Sequence, residues 1–166
     1  MSKKITVYDL VLVGLMAAII FVSTAFLKIG PIPTPAGPTQ LKTGNALCLL
    51  AGLLFGGWRG GLAAGIGSML YDLSDPAFVS SAPTTLLFFF LMGACCGFVS
   101  HLGGRDGKDR RWNLAGAISG SVLYLILHLG KSMLALLLAG SSFQAAVASC
   151  AIKFVTSGIN GVFAVV

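Results

Sequence analysis

Apolar residues run through this chain in long blocks, and the polar residues between them mark where each block stops. Six blocks are delimited, at about 8–29, 43–55, 60–72, 83–101, 114–138 and 143–166. Each reads as a helix, and a bilayer crossing needs about 20 such residues. The second and third blocks are short and glycine-bearing, which predicts packing inside the protein rather than lipid on every side. They fold back on each other at Gly56-Gly57-Trp58-Arg59. That hairpin brings Lys42 and Asn45, at its start, to the same side of the membrane as Tyr71 and Asp72, at its finish. These four form the expected floor of a ligand site.

Between the blocks the chain breaks for identifiable reasons. Pro31, Pro33, Pro35 and Pro38 forbid regular helix in GPIPTPAGPTQ and favour an extended loop. A loop over 74–82 carries Asp75-Pro76, and Pro83 suits the first turn of the fourth helix. The basic loop GGRDGKDRRWN and the turn GSS separate the last three blocks. The chain stops at Val166 without a polar tail, which leaves a truncated end open.

Composition turns this pattern into a class. The 166 residues are 56 % hydrophobic and 10 % charged, with a mean hydropathy of +0.92, against about 25 % charged in soluble domains. The expectation is an all-α integral membrane protein of six transmembrane helices in one membrane domain, 1–166. There is no Glu, and the five Asp lie at block ends or in loops, as the cost of a carboxylate in hydrocarbon demands. The net charge of +6 sits in loops flanking apolar spans, not along a helix face, which excludes nucleic acid as the partner. Lys3, Lys4, Arg59, Arg105, Lys108, Arg110 and Arg111 fall on one side of a six-span layout, and Lys28 and Lys42 on the other. By the positive-inside rule both termini are then cytoplasmic.

Little of the usual chemistry is present. Cys48, Cys95, Cys96 and Cys150 lie inside apolar blocks without CxxC spacing and read as small buried residues. His101 and His128 fall in different spans, so no metal site is expected. Gly130-Lys131-Ser132 matches the tail of a phosphate-binding loop, but Leu125 stands where its first glycine belongs. No nucleophile elbow or paired carboxylates occur, so neither an enzyme nor a resident cofactor is expected. Intramembrane polar groups are the remaining candidates. Tyr124, His128 and Lys131 share one face of the fifth helix, and Lys153, Ser157 and Asn160 one face of the sixth. Lys131 has two readings, an ion pair with Asp72 or a ligand contact; Lys153 likewise faces either ligand or a neighbouring helix. Phe88–Phe90 fit ring stacking but suit core or lipid filling better.

The order GN-x-x-x-x-LAGLLFG-x-x-x-GGLAAGIGS-x-LYDL, then P-x-T and FLMGACCG, resembles the substrate-binding S components of energy-coupling factor (ECF) vitamin transporters, in the branch with riboflavin, hydroxymethylpyrimidine and pyridoxine proteins. The likeness covers about residues 9–104. It implies capture of a water-soluble vitamin from outside, then docking on a transmembrane coupling protein with two ATPases, which supply the ATP chemistry. It also implies a gate formed by the loop between spans one and two, ligand contacts at Asn45, Tyr71 and Asp72, and a small-residue docking patch carried onto Gly14, Ala17 and Ala18. Cobalamin and a queuosine precursor join the candidate ligands. A self-sufficient permease or channel, and a membrane assembly protein, are the competing readings.

Overall fold

The computed structural model describes residues 6–33, 39–104, 107–138, 140 and 143–165. Lys3, Lys4, Arg105, Pro35, Pro38 and the two serines of the GSS turn, all used in the sequence reading, lie outside the described residues. Helix α1 (Val7–Phe26) opens on a capping box: Asp9 N donates to Thr6 Oγ1 at 3.3 Å, and Thr6 N to Asp9 Oδ2 at 3.1 Å. The same carboxylate accepts a 3.1 Å bond from Arg59 Nη2, tying the start of α1 to the turn of the Gly-rich hairpin.

The first helix ends at Phe26, short of the expected Ile29, because the chain there pairs with itself. Strands β1 (Lys28–Ile32) and β2 (Thr39–Lys42) form an antiparallel ribbon with Lys28 opposite Lys42 and Ile29 opposite Leu41. The ribbon is a short addition to a chain that is otherwise all-helical, as expected. Both strands are edge strands, where a proline without an N–H is tolerated.

Helix α2 (Gly44–Ser74) holds both arms of the expected hairpin in one element. Only Gly56 breaks it, at φ 78° and ψ 179°, a conformation that favours glycine. The arms 44–55 and 57–74 then run side by side. Cys48 Sγ lies 3.5 Å from Ser68 Oγ, and a Cβ on Gly60 would sit 2.5 Å from both Ala51 O and Gly52 Cα. Backbones this close admit no side chain between them, the packing that small residues allow in lipid.

A 3-10 turn (Val79–Ser81) leads into α3 (Ala82–Ser100), with proline in its first turn. Glycines continue the seam: a Cβ on Gly97 would meet Gly56 C at 2.4 Å, and one on Gly61 would meet Phe90 O at 2.8 Å. Helix α4 (Arg110–Leu138) joins α3 through Gly116 and Gly120, and α5 (Phe143–Val165) packs on α4, α2 and β2. The basic residues Arg110 and Arg111 thus belong to the first turn of α4 rather than to a loop.

Ile20, Cys48, Leu49, Ala64, Phe89, Met92 and Cys96 form the buried centre. Leu10, Leu15, Leu54, Phe98, Ile126, Leu134, Phe154 and Val162 point outward. An apolar perimeter of this extent suits a hydrocarbon solvent. Among the described residues four helical segments, Val7–Phe26, Gly44–Ser74, Val79–Ser100 and Arg110–Leu138, are long and apolar enough to cross a membrane. Among the described residues five helices stand where six were expected, because the second and third blocks share α2.

Candidate functional site

At the end of the bundle away from Gly56 and Arg59, β2, α2, α3, α4 and α5 close around a cavity of about 230 Å³. Its walls mix polar groups with aromatic and apolar ones, in contrast to the apolar interior of the rest of the bundle. Strand β2 enters as one side: Asn160 Nδ2 donates to Gln40 O and Lys42 N donates to Asn160 Oδ1, both at 3.1 Å. The α5 amide therefore does for this strand what a further ribbon partner would do, fixing its backbone against the bundle.

Asp72, 2 % exposed, lies across from Lys42. Its Oδ2 accepts from Thr85 Oγ1 at 2.5 Å, and its Oδ1 lies 3.9 Å from Lys42 Nζ. Among the described residues that Oδ1 has no hydrogen-bond partner. The Lys42 ammonium also sits 5.2 Å from the centres of the Tyr71 and Phe89 rings. Burial pushes the Lys42 pKa down from the lysine value, against the attraction of Asp72.

The α4 and α5 walls are built as their spacing predicts. Tyr124 and His128 stack one turn apart, with ring centres at 5.5 Å and planes 14° apart, and Phe89 leans on Tyr124 at 4.8 Å. Lys131 Nζ donates to Thr84 Oγ1, so the Lys131–Asp72 ion pair is replaced by a hydroxyl contact. Lys153 Nζ donates to Ser132 Oγ at 3.1 Å, and Ser132 donates to His128 O at 2.9 Å. Ser157 Oγ is 3.5 Å from His128 Nδ1.

Outside the cavity a second cluster joins the ribbon to the end of α2. Lys28 Nζ donates to Tyr71 Oη at 2.7 Å and to Asp75 Oδ2 at 3.0 Å. The Tyr71 hydroxyl is within reach of Gln40 Oε1 at 3.1 Å and Asp75 Oδ2 at 3.0 Å, donating to one at a time. The Tyr71 and Asp75 contacts raise the Lys28 pKa. Burial would raise that of Asp75, but the bonds from Lys28, Tyr71 and Ala77 N outweigh it and hold the carboxyl below its usual value.

Of the expected ligand contacts, Lys42, Asp72, Tyr124, His128, Lys131 and Lys153 line the cavity together. Tyr71 and Asn45 do not. Tyr71 faces the ribbon, and Asn45 is 3 % exposed behind the wall. Thr39, Gln40, Thr84, Thr85 and Ser132 line the cavity without having been expected as ligand contacts. Thr84 and Thr85 left a readable trace, since two hydroxyls in the first turn of an apolar helix fall at the depth of Asp72. Gln40 left none, because its position depends on the ribbon. On α1, Gly14 and Ala18 are exposed, with open space at Gly14, whereas Ala17 is 3 % exposed and its carbonyl faces Gly67. The docking patch as drawn is corrected at Ala17, which turns inward. Among the described residues no group of three His, Cys, Asp or Glu side chains is placed to hold a metal, and all four cysteines are free.

The family model described as ECF-type riboflavin transporter, S component, matches residues 4–166, nearly the whole chain. The chain belongs to this family. As an S component it is the substrate-binding membrane subunit of an ECF-type vitamin transporter, not an enzyme, and S components work in association with an ECF module. A solved structure, described as the structure and mechanism of the S component of a bacterial ECF transporter, is similar at a TM-score of 0.61 with 20 % identity. The match covers 95 % of this chain and 91 % of that one, and at this identity it speaks to the fold alone. No curated protein matches the chain.

Proposed function

We propose that the cavity captures a water-soluble vitamin or vitamin precursor, of pyridoxine, hydroxymethylpyrimidine, riboflavin or cobalamin type, from outside the cell. The observation that carries this reading is the polar cavity itself. Lys42, Asp72, Lys131 and Lys153 converge on about 230 Å³ inside a bundle whose perimeter is apolar. Ionisable groups at such depth are costly unless they serve a ligand or a pathway, and concave sites of this kind combine apolar walls with a few placed polar groups. Asp72, Lys42, Lys131 and Lys153 are the proposed polar contacts, and Tyr124 and His128 the platform.

In this reading the chain spans the cell membrane six times, with the two arms of α2 as separate crossings and both termini cytoplasmic. Arg59 and Asp9 then mark the inner end, and the ribbon covers the outer mouth as a gate held by Tyr71 and Lys28. Gly14 and Ala18 form the docking face for the transmembrane coupling protein, whose two ATPase partners supply the energy. The exposed, small-residue surface at these positions supports that assignment.

The test is mass spectrometry of small molecules released from the detergent-purified protein, with uptake measured with and without a co-expressed coupling module. A stoichiometric vitamin, and uptake that requires the module, are expected. Uptake by this chain alone would favour a self-sufficient permease. A folded protein that carries no vitamin and binds none from a panel would favour an assembly role.

A further inference from the structure

A buried polar atom gives up its bonds to water on folding, which is costly unless the protein or a bound molecule replaces them. Among the described residues, the buried side-chain atoms without a hydrogen-bond partner are Gln40 Nε2, Asn45 Oδ1, Asp72 Oδ1, Asn113 Oδ1 and Ser121 Oγ. Of these residues Gln40 and Asp72 line the cavity, and the other three do not. One atom is a donor on β2 and the other an acceptor on α2, so the wall offers both halves of a hydrogen-bonding pair to what it encloses.

The Gln40 donor is also held in place. The residue is 4 % exposed, and its carbonyl accepts from Asn160 Nδ2 at 3.1 Å, which fixes this point of the strand against α5. An amide can turn either its oxygen or its nitrogen to a cavity. Here the Tyr71 hydroxyl chooses. Tyr71 Oη accepts from Lys28 Nζ at 2.7 Å, so its own proton points elsewhere, to Gln40 Oε1 at 3.1 Å or to Asp75 Oδ2 at 3.0 Å. Asp75 already receives Lys28 Nζ on Oδ2 and Ala77 N on Oδ1. The Tyr71 proton therefore serves Gln40 Oε1 best, and the amide nitrogen is left for the cavity. A donor aimed in advance spares the cost of ordering it on binding.

Resting on the reading of this cavity as the transport site, we propose that Gln40 is a specificity-determining ligand contact: its Nε2 donates to an acceptor on the vitamin while Asp72 Oδ1 accepts from a donor on the same molecule. Tyr71 is the positioning residue that fixes the amide. Vitamins of the types named above carry both kinds of group, as ring nitrogens, carbonyls, hydroxyls or amino groups.

The experiment is equilibrium binding to the purified full-length protein of pyridoxine, hydroxymethylpyrimidine, riboflavin and cobalamin, followed by the variants Gln40→Glu and Gln40→Met with whichever binds. Gln40→Glu keeps an acceptor for Tyr71 but loses the donor; Gln40→Met loses the donor without adding charge. Both should raise Kd roughly 5- to 150-fold, the worth of a buried hydrogen bond. An unchanged Kd in Gln40→Glu would show that Gln40 serves only to hold Tyr71, and an unchanged Kd in Gln40→Met that the loss in Gln40→Glu comes from its charge. Either result overturns the contact and leaves the S-component reading intact. If none of the four binds, the compound released from the wild-type protein serves as the probe with the same outcomes. A folded wild-type protein that binds none and releases none overturns the transport reading and this contact together.

Discussion

Asp72 offers the sharpest test of the site, because its two oxygens have different duties. Oδ2 is engaged by Thr85 at 2.5 Å, whereas Oδ1 faces Lys42 at 3.9 Å and has no hydrogen-bond partner among the described residues. A ligand donor placed on Oδ1 would satisfy a buried acceptor, and removing that acceptor would cost the bound state about 1–3 kcal/mol. That corresponds to a rise in Kd of roughly 5- to 150-fold. Asp72→Asn keeps the shape and an oxygen for Thr85 but removes the charge, so Lys42, with a side chain 10 % exposed, loses its partner. Breaking a fully buried pair costs about 3–5 kcal/mol, but at 3.9 Å beside an open cavity the stability loss should be nearer 1 kcal/mol. Asp72→Ala loses both oxygens and should weaken binding further. Calorimetric titration gives the affinity, and thermal unfolding of the ligand-free protein in the same detergent gives the stability. Thr85→Val serves as the control, lowering stability by about 1 kcal/mol with little change in Kd. If Asp72→Asn unfolds earlier yet binds with unchanged affinity, Asp72 only holds Lys42, and its role as a ligand contact is refuted.

Four further outcomes are expected. Tyr71→Phe removes the hydroxyl that gathers Lys28, Gln40 and Asp75 but leaves the Lys28–Asp75 bond, so ligand release should quicken about fivefold for about 1 kcal/mol lost; an unchanged dissociation rate would show that the ribbon does not gate the cavity. The same cluster sets a pH window: Asp75, held below its ordinary 3.8, contributes above that value and loses its contribution as pH falls through its folded-state pKa, while Lys28, raised above 10.5, contributes below that value and loses it as pH climbs past its own. Release rates should therefore be flat between about pH 5 and pH 9, and a step near neutrality that Tyr71→Phe removes would contradict this. Gly60→Ala places a Cβ 2.5 Å from Ala51 O and should lower stability by about 1–3 kcal/mol by overpacking, read as an earlier thermal transition; full stability would mean the hairpin seam opens freely. Ala18→Trp, on an exposed position of α1, should abolish module-dependent uptake while leaving vitamin binding intact, and normal uptake would move the docking face elsewhere.

What the chain order decides alone is the solvent and the seams. Hydropathy is a local property, so the apolar blocks mark a membrane protein whatever their packing. Glycines at four-residue spacing, such as Gly52 and Gly56 or Gly93 and Gly97, announce close helix contacts because no side chain intervenes. The hairpin around Gly56 and the shared faces of Tyr124, His128 and Lys131 and of Lys153, Ser157 and Asn160 were legible for the same reason, since helical period fixes which neighbours in sequence look the same way. The tertiary structure decided the rest. The ribbon of β1 and β2 exists through pairing of its two strands and through Asn160, more than a hundred residues away, and no local pattern carries such a contact. It drew Gln40 into the cavity wall and turned Tyr71 from the expected floor towards the ribbon. Likewise Ala17 and Ala18 differ by one residue yet face opposite ways, inward at 3 % exposure and outward, because the rotation of α1 is set by what it packs against. Local patterning chooses the elements; contacts remote in sequence choose which of their side chains meet.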